Sequence, residues 1–118
     1  MISMREAYEK IGANYEDACA RLMGEEMLAR FALKFLDDES MDKLEAAMAA
    51  GDAEEAFMAA HTLKGVSQNL GFDNLYEPAV VVTEALRGAD AVDGAREGMH
   101  ALQQQYAATM SALRETAE

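Results

Sequence analysis

Helix punctuation is the feature that most constrains this chain. Glycine stands at positions 12, 24, 51, 71 and 88, and the sequence between these stops carries apolar residues at helical spacing. A helix leaves its first backbone N–H groups without partners, and Ser, Asn and Asp side chains satisfy them best. Such residues recur just ahead of the apolar stripes. Ser3 with Glu6 forms a reciprocal capping box, and Asn14, Ser40 and Asp52 are placed to cap later segments, Asp52 with Glu55 three residues on. Alanine and methionine are plentiful, proline occurs once, and Val and Ile are scarce, which favours helix over sheet.

The stripes can be read in order. Met4, Tyr8 and Ile11 share one face, and so do Tyr15, Ala18, Cys19 and Leu22. Leu28, Phe31, Phe35 and Leu36 are expected to face inward, followed after an acidic turn by Met41, Leu44 and Met48. Leu75, Ala79, Val82 and Leu86 form the next stripe. Pro78 interrupts it, so the regular helix is expected to begin near Tyr76 with the proline in its first turn. The last stripe is Ala95, Met99, Leu102, Tyr106, Met110 and Leu113, capped by Asp90 or Asp93. Gly94 and Gly98 weaken its first turns by roughly 1 kcal/mol each, so that end is expected to fray.

These segments predict an all-α protein in one domain spanning 1–118. The principal helices are 25–36 with 40–50, 53–70, 75–87 and 92–116. Short connections between helices imply antiparallel neighbours, so residues 25–118 are expected to form an up-and-down four-helix bundle. Residues 1–24 supply two short helices, packed as an addition across one face or end.

The formal net charge is −12, from 22 acidic and 10 basic residues. Nucleic acid and anionic membrane surfaces both require clustered Lys and Arg, which argues against either partner. The acidity serves solubility or attraction to a basic docking surface. Cys19 is the single cysteine, which excludes an internal disulfide and a cysteine-based zinc site, and its apolar position places it in the core. The start, MISMREAYEK, lacks an apolar signal region, and no stretch approaches the length of a membrane span. A cytoplasmic, free-standing monomer is expected.

The stretch AAHTLKGVSQNLG, residues 59–71, carries the chemistry. His61, Lys64, Gly65 and Gln68 fall on one side of a helix, opposite Ala59, Leu63, Val66 and Leu70. Metal binding needs convergent ligands, and the one other histidine, His100, does not supply a second set. Hydrolysis needs a nucleophile, an orienting carboxylate and a cleft, and no Gly-rich phosphate loop for ATP occurs. Phosphoryl acceptance asks for less: an accessible imidazole nitrogen, a cation to offset the phosphate charge, and room for a visiting active site. His61, Lys64 at i+3 and Gly65 at i+4 meet those needs. Alanine would be the better helix former at 65, so glycine there sacrifices local stability beside a reactive group. Gln68 is placed to hydrogen-bond the partner.

His61-Thr62-Leu63-Lys64-Gly65, followed by Asn69-Leu70-Gly71, closely resembles the signature of histidine-containing phosphotransfer (Hpt) domains. The resemblance extends from about Met27 to the C-terminus and leaves Met1 to Gly24 outside. It implies a four-helix bundle that relays phosphoryl groups between aspartates of receiver domains, with His61 as phosphoacceptor on Nε2 and Lys64 as the charge-stabilising lysine. It implies Gly65 as the small residue facing the partner, response-regulator receiver domains and a hybrid histidine kinase as partners, and Mg²⁺ supplied by the receiver, with no cofactor in this chain. Phe57 and Met58, a turn before His61, are expected at the apolar docking rim. Family members often carry Gln or Glu near the histidine on the following helix; that place falls around Thr83 or Glu84 here, and a threonine would be a departure. Two alternatives keep the same face: a helical adaptor that binds a receiver or kinase without accepting phosphate, and an acceptor domain cut from a hybrid kinase.

Overall fold

In the computed structural model, which describes residues 1–116, helices form where a capped start meets an apolar stripe. The order is α1 (Met4–Ile11), α2 (Tyr15–Leu22), α3 (Glu25–Lys34), a 3-10 turn at Phe35–Asp37, α4 (Ser40–Ala50), α5 (Ala53–Asn69), α6 (Asp73–Leu86), a second 3-10 turn at Asp93–Ala95, and α7 (Arg96–Thr116). Residues 117 and 118 of the expected domain lie outside the described residues. The all-α expectation holds, with no strand among the described residues.

The caps act as their chemistry dictates. The Glu6 N–H donates to Ser3 Oγ at 3.1 Å and the Ser3 N–H donates to Glu6 Oε1 at 2.9 Å, which closes the capping box. Asn14 Oδ1 accepts from the Asp17 N–H, and Asp52 Oδ1 from the Glu55 N–H. Several boundaries differ from expectation. Ser40 is the first residue of α4, not its cap; its N–H donates to Asp38 Oδ1 at 2.8 Å. The left-handed residue after α2 is Met23, with Gly24 one place later.

α6 begins at Asp73, earlier than predicted, because the Leu75 and Tyr76 N–H groups bond back to the Phe72 carbonyl. Pro78 therefore lies inside the helix, where it removes one bond to the Asn74 carbonyl. Asn74 itself is tied down by Nδ2–H bonds to Gln105 Oε1 and Thr109 Oγ1 on α7. The start of α7 also differs. Asp93 opens the 3-10 turn, its carboxylate meets Arg96, and Gly94 precedes the helix. Gly98 lies where α7 crosses α6: a Cβ there would sit 3.2 Å from Val82 Cγ2 and 3.3 Å from Val81 Cγ1. The glycine permits that close approach.

α5 packs between α4 and α6, and α7 closes against α6. Two residues link α4 to α5 and three link α5 to α6, so each pair reverses direction. The apolar stripes fill the interior: Leu44, Leu63, Leu75, Ala79, Val82, Leu102 and Leu113 are fully buried. Phe31, expected inward, is 37% exposed: it lines the rim of a surface groove with Val66 and Leu70 instead of entering the core, and the Lys34 ammonium lies over its ring at 5.5 Å. Cys19 is a free, half-buried thiol at the edge of the core.

α1 lies along α7, and α2 against α3 and α5. Both helices share the central core. Tyr8 is completely buried, and a series of ring contacts runs Tyr15–Tyr8–Phe72–Phe35–Tyr106 with centroids 5.3 to 6.0 Å apart. The Tyr8 hydroxyl donates to the Leu70 carbonyl at 2.7 Å, and burial pushes its pKa well above the ordinary phenol range. The Asn14 N–H donates to the Gly71 carbonyl at 2.7 Å. Gly71 adopts φ +69°, and a Cβ there would lie 2.6 Å from the Asn14 carbonyl oxygen. Only glycine fits both demands.

Gly71→Ala should therefore destabilise the protein by about 2–4 kcal/mol, from left-handed strain plus the clash. Tyr8→Phe should cost about 1–2 kcal/mol through the unpaired Leu70 carbonyl. Guanidinium denaturation checks both; a Gly71→Ala midpoint equal to wild type would contradict the clamp.

Candidate functional site

α5 presents two unlike sides. Ala56, Ala59, Ala60, Leu63 and Ser67 are buried, which fixes the rotation of the helix about its axis. His61, Thr62, Gly65 and Gln68 then face solvent, and Lys64 is half-buried at the edge. Of the apolar side read from the sequence, Ala59, Leu63 and Leu70 are buried and Val66 is half-buried.

Helical side chains tilt toward the N-terminus and cover the preceding turn. A side chain at 65 would therefore lie over His61, and glycine leaves that space open. Gly65 has ordinary helical geometry, since it is absent from the residues with positive φ. A Cβ built on it meets nothing within 4 Å. The fold gives no reason for glycine here, in contrast to Gly71 and Gly98. Lys64, one turn after His61, is close enough to Glu84 on α6 to act on its carboxylate, and it forms no salt bridge among the described residues.

The imidazole rests on a neighbour. The Phe57 ring, one turn earlier, lies 5.9 Å from the His61 ring at an interplanar angle of 20°, a stacked arrangement. Phe57 is half-buried against the core. The Arg87 guanidinium sits 5.1 Å from the centre of the same ring. Arg87 in turn bonds Glu84, with Nη2 2.9 Å from Oε2 and Nε 3.2 Å from both carboxylate oxygens. The Arg87 hydrogen bond, and then its charge, hold the Glu84 carboxyl below the ordinary carboxylate range, and the Lys64 ammonium acts in the same direction.

The two candidates on the following helix, Thr83 and Glu84, point in different directions. Thr83 is fully buried and its hydroxyl donates to the Ala79 carbonyl at 2.7 Å, so it turns into the core. Glu84 is exposed and within electrostatic reach of Lys64. Arg87 was not singled out from the sequence. Its one linear signal is the i, i+3 pairing with Glu84 at the end of α6, which says nothing of Phe57 on another helix.

Met58 is 57% exposed and lines a groove of about 590 Å³ between α4 and α5, with Ala46, Ala47, Ala50 and Thr62. His100 lies on α7 beside Glu45 and Gln103, apart from this cluster. Among the described residues no group of three His, Cys, Asp or Glu is arranged to hold a metal ion. No helix among them is long and apolar enough to cross a membrane.

The family model of the Hpt domain matches residues 26–116, beginning one residue into α3 and leaving α1 and α2 outside. No curated protein and no solved structure matches the chain. The match spans most of the sequence: the chain belongs to the Hpt domain family, helical bundles that act in phosphotransfer in two-component signalling.

Proposed function

We propose that this Hpt domain is a phosphorelay intermediate: His61 accepts a phosphoryl group from the aspartyl phosphate of one receiver domain and passes it to another. The observation that carries this reading is the exposed imidazole beside Gly65, a mid-helix glycine that nothing inside the fold requires. A helix gives up roughly 1 kcal/mol for glycine over alanine, so the open space serves something outside the chain.

The transfer is an in-line displacement. The in-plane lone pair of the unprotonated Nε2 attacks phosphorus, the N–P bond forms, the acyl P–O bond breaks, and the aspartate leaves as a carboxylate. The receiver brings Mg²⁺, which neutralises charge on the transferring group. On this side Lys64 offsets the roughly two negative charges of the phosphohistidine. Its ammonium has no competing salt bridge among the described residues. Return of the group to a second receiver is the same step reversed. Gln68 and Met58, both exposed on α5, flank the imidazole where the receiver would seat. A hybrid histidine kinase stands upstream, and the chain acts as a monomer without ATP chemistry of its own.

His61→Gln should abolish labelling by a phosphorylated receiver while the far-UV circular dichroism stays that of wild type. Label retained in the variant would contradict the assignment. A wild-type protein that binds the receiver without taking up phosphate would favour the adaptor alternative. Gly65→Ala should raise stability by about 1 kcal/mol, since the added methyl group meets open space. Gly65→Gln should remain folded yet slow transfer from the receiver on the order of tenfold or more, by covering His61. Stopped-flow or quench-flow transfer rates equal to wild type would place Gly65 outside the docking face.

A further inference from the structure

We propose that Phe57 is a positioning residue, holding the His61 imidazole in the orientation that phosphoryl transfer uses, and that Arg87, fixed by Glu84, holds Phe57 in turn. The proposal rests on His61 being the phosphoacceptor.

An exposed histidine on a helix is free to sample several side-chain rotamers, and each must be given up when the ring reacts. Here the imidazole lies nearly parallel to Phe57, at 20° and 5.9 Å between centres. Phe57 is restrained on several sides: it packs against the core, and the Arg87 guanidinium sits 5.1 Å from its centre. Arg87 is itself held by two-point bonding to the Glu84 carboxylate. The imidazole is thus connected, through one aromatic ring, to the end of α6.

An offset, near-parallel arrangement suits the chemistry. The nucleophilic lone pair of an imidazole nitrogen lies in the ring plane, so a contact on the face leaves it open. An edge-on contact would cover it. The stack therefore removes rotational freedom without blocking attack, which lowers the entropy to be lost at the transition state. Simple packing of Phe57 would not require a near-parallel imidazole on its ring, nor a paired guanidinium beside it.

The test uses the full chain and a small donor that needs no docking surface. Phosphoramidate transfers its phosphoryl group to histidine: its P–N bond breaks, ammonia leaves, and the new N–P bond forms on the imidazole. Phe57→Leu keeps an apolar side chain and removes the ring. It should slow phosphoramidate labelling of His61 on the order of tenfold. It should also remove the Phe57 ring-current contribution to the shifts of the His61 ring protons in the NMR spectrum. Phe57→Tyr should restore both. Arg87→Gln, a change at an exposed residue, should slow labelling about threefold and reduce the ring-current contribution, and it serves if Phe57→Leu does not fold. Labelling of Phe57→Leu at the wild-type rate, or failure of Phe57→Tyr to recover it, would overturn the positioning role alone. A wild-type protein that takes phosphate at His61 from neither phosphoramidate nor a receiver would overturn this role together with the relay.

Discussion

The turn at Leu70 and Gly71 is the constraint on which the rest of the structure depends. Two N-terminal groups grip it: the Tyr8 hydroxyl on the Leu70 carbonyl and the Asn14 N–H on the Gly71 carbonyl. Backbone carbonyls just past a helix end need partners, and here the partners come from 57 to 62 residues earlier in the chain. The grip fixes where α5 stops and seats α1 and α2 in the aromatic core. It also sets the register of α5, because a helix anchored at its end and buried along one stripe has one orientation available. His61 stands outward as a consequence of that orientation.

Two glycines in one motif thus serve different ends. Gly71 satisfies the fold, through positive φ and contact with Asn14 and Ala18. Gly65 satisfies nothing inside the chain. The electrostatics divide in the same manner. The whole chain carries a formal charge of −12, yet on this side Arg87 pairs with Glu84 and packs on the Phe57 ring that the imidazole stacks against, and Lys64 lies within electrostatic reach of Glu84. On the proposed reading, a dianionic phosphate on His61 would draw on the Lys64 ammonium, which Glu84 also attracts. That arrangement suits a group that must be held and then released.

Much of the fold was legible because its signals are local. The Ser3–Glu6 box, Asn14, Asp52 and the stripe Leu75–Ala79–Val82–Leu86 depend on spacing along the chain, and spacing can be read. Periodicity places Phe31 inward, but the ring lines a surface groove beside Val66 and Leu70, which no spacing on its own helix reports. The start of α6 was misread because Pro78 looked prohibitive. One missing backbone bond is tolerated in a helix whose Asn74 is anchored to α7. Of the site, His61, Lys64, Gly65 and Gln68 were legible as one face of one helix. Phe57 was legible too, one turn before His61 on α5, but the Arg87–Phe57 contact was not, because it joins the end of α6 to α5 and no sequence spacing encodes that distance.

The central claim is that His61 carries the phosphoryl group. ³¹P NMR of the protein after incubation with a phosphorylated receiver tests it most directly. The account predicts a single phosphoramidate-type resonance, stable in base and lost in acid, that correlates with the His61 imidazole. A resonance from an acyl phosphate on one of the many carboxylates, or from a nitrogen of His100, would contradict it.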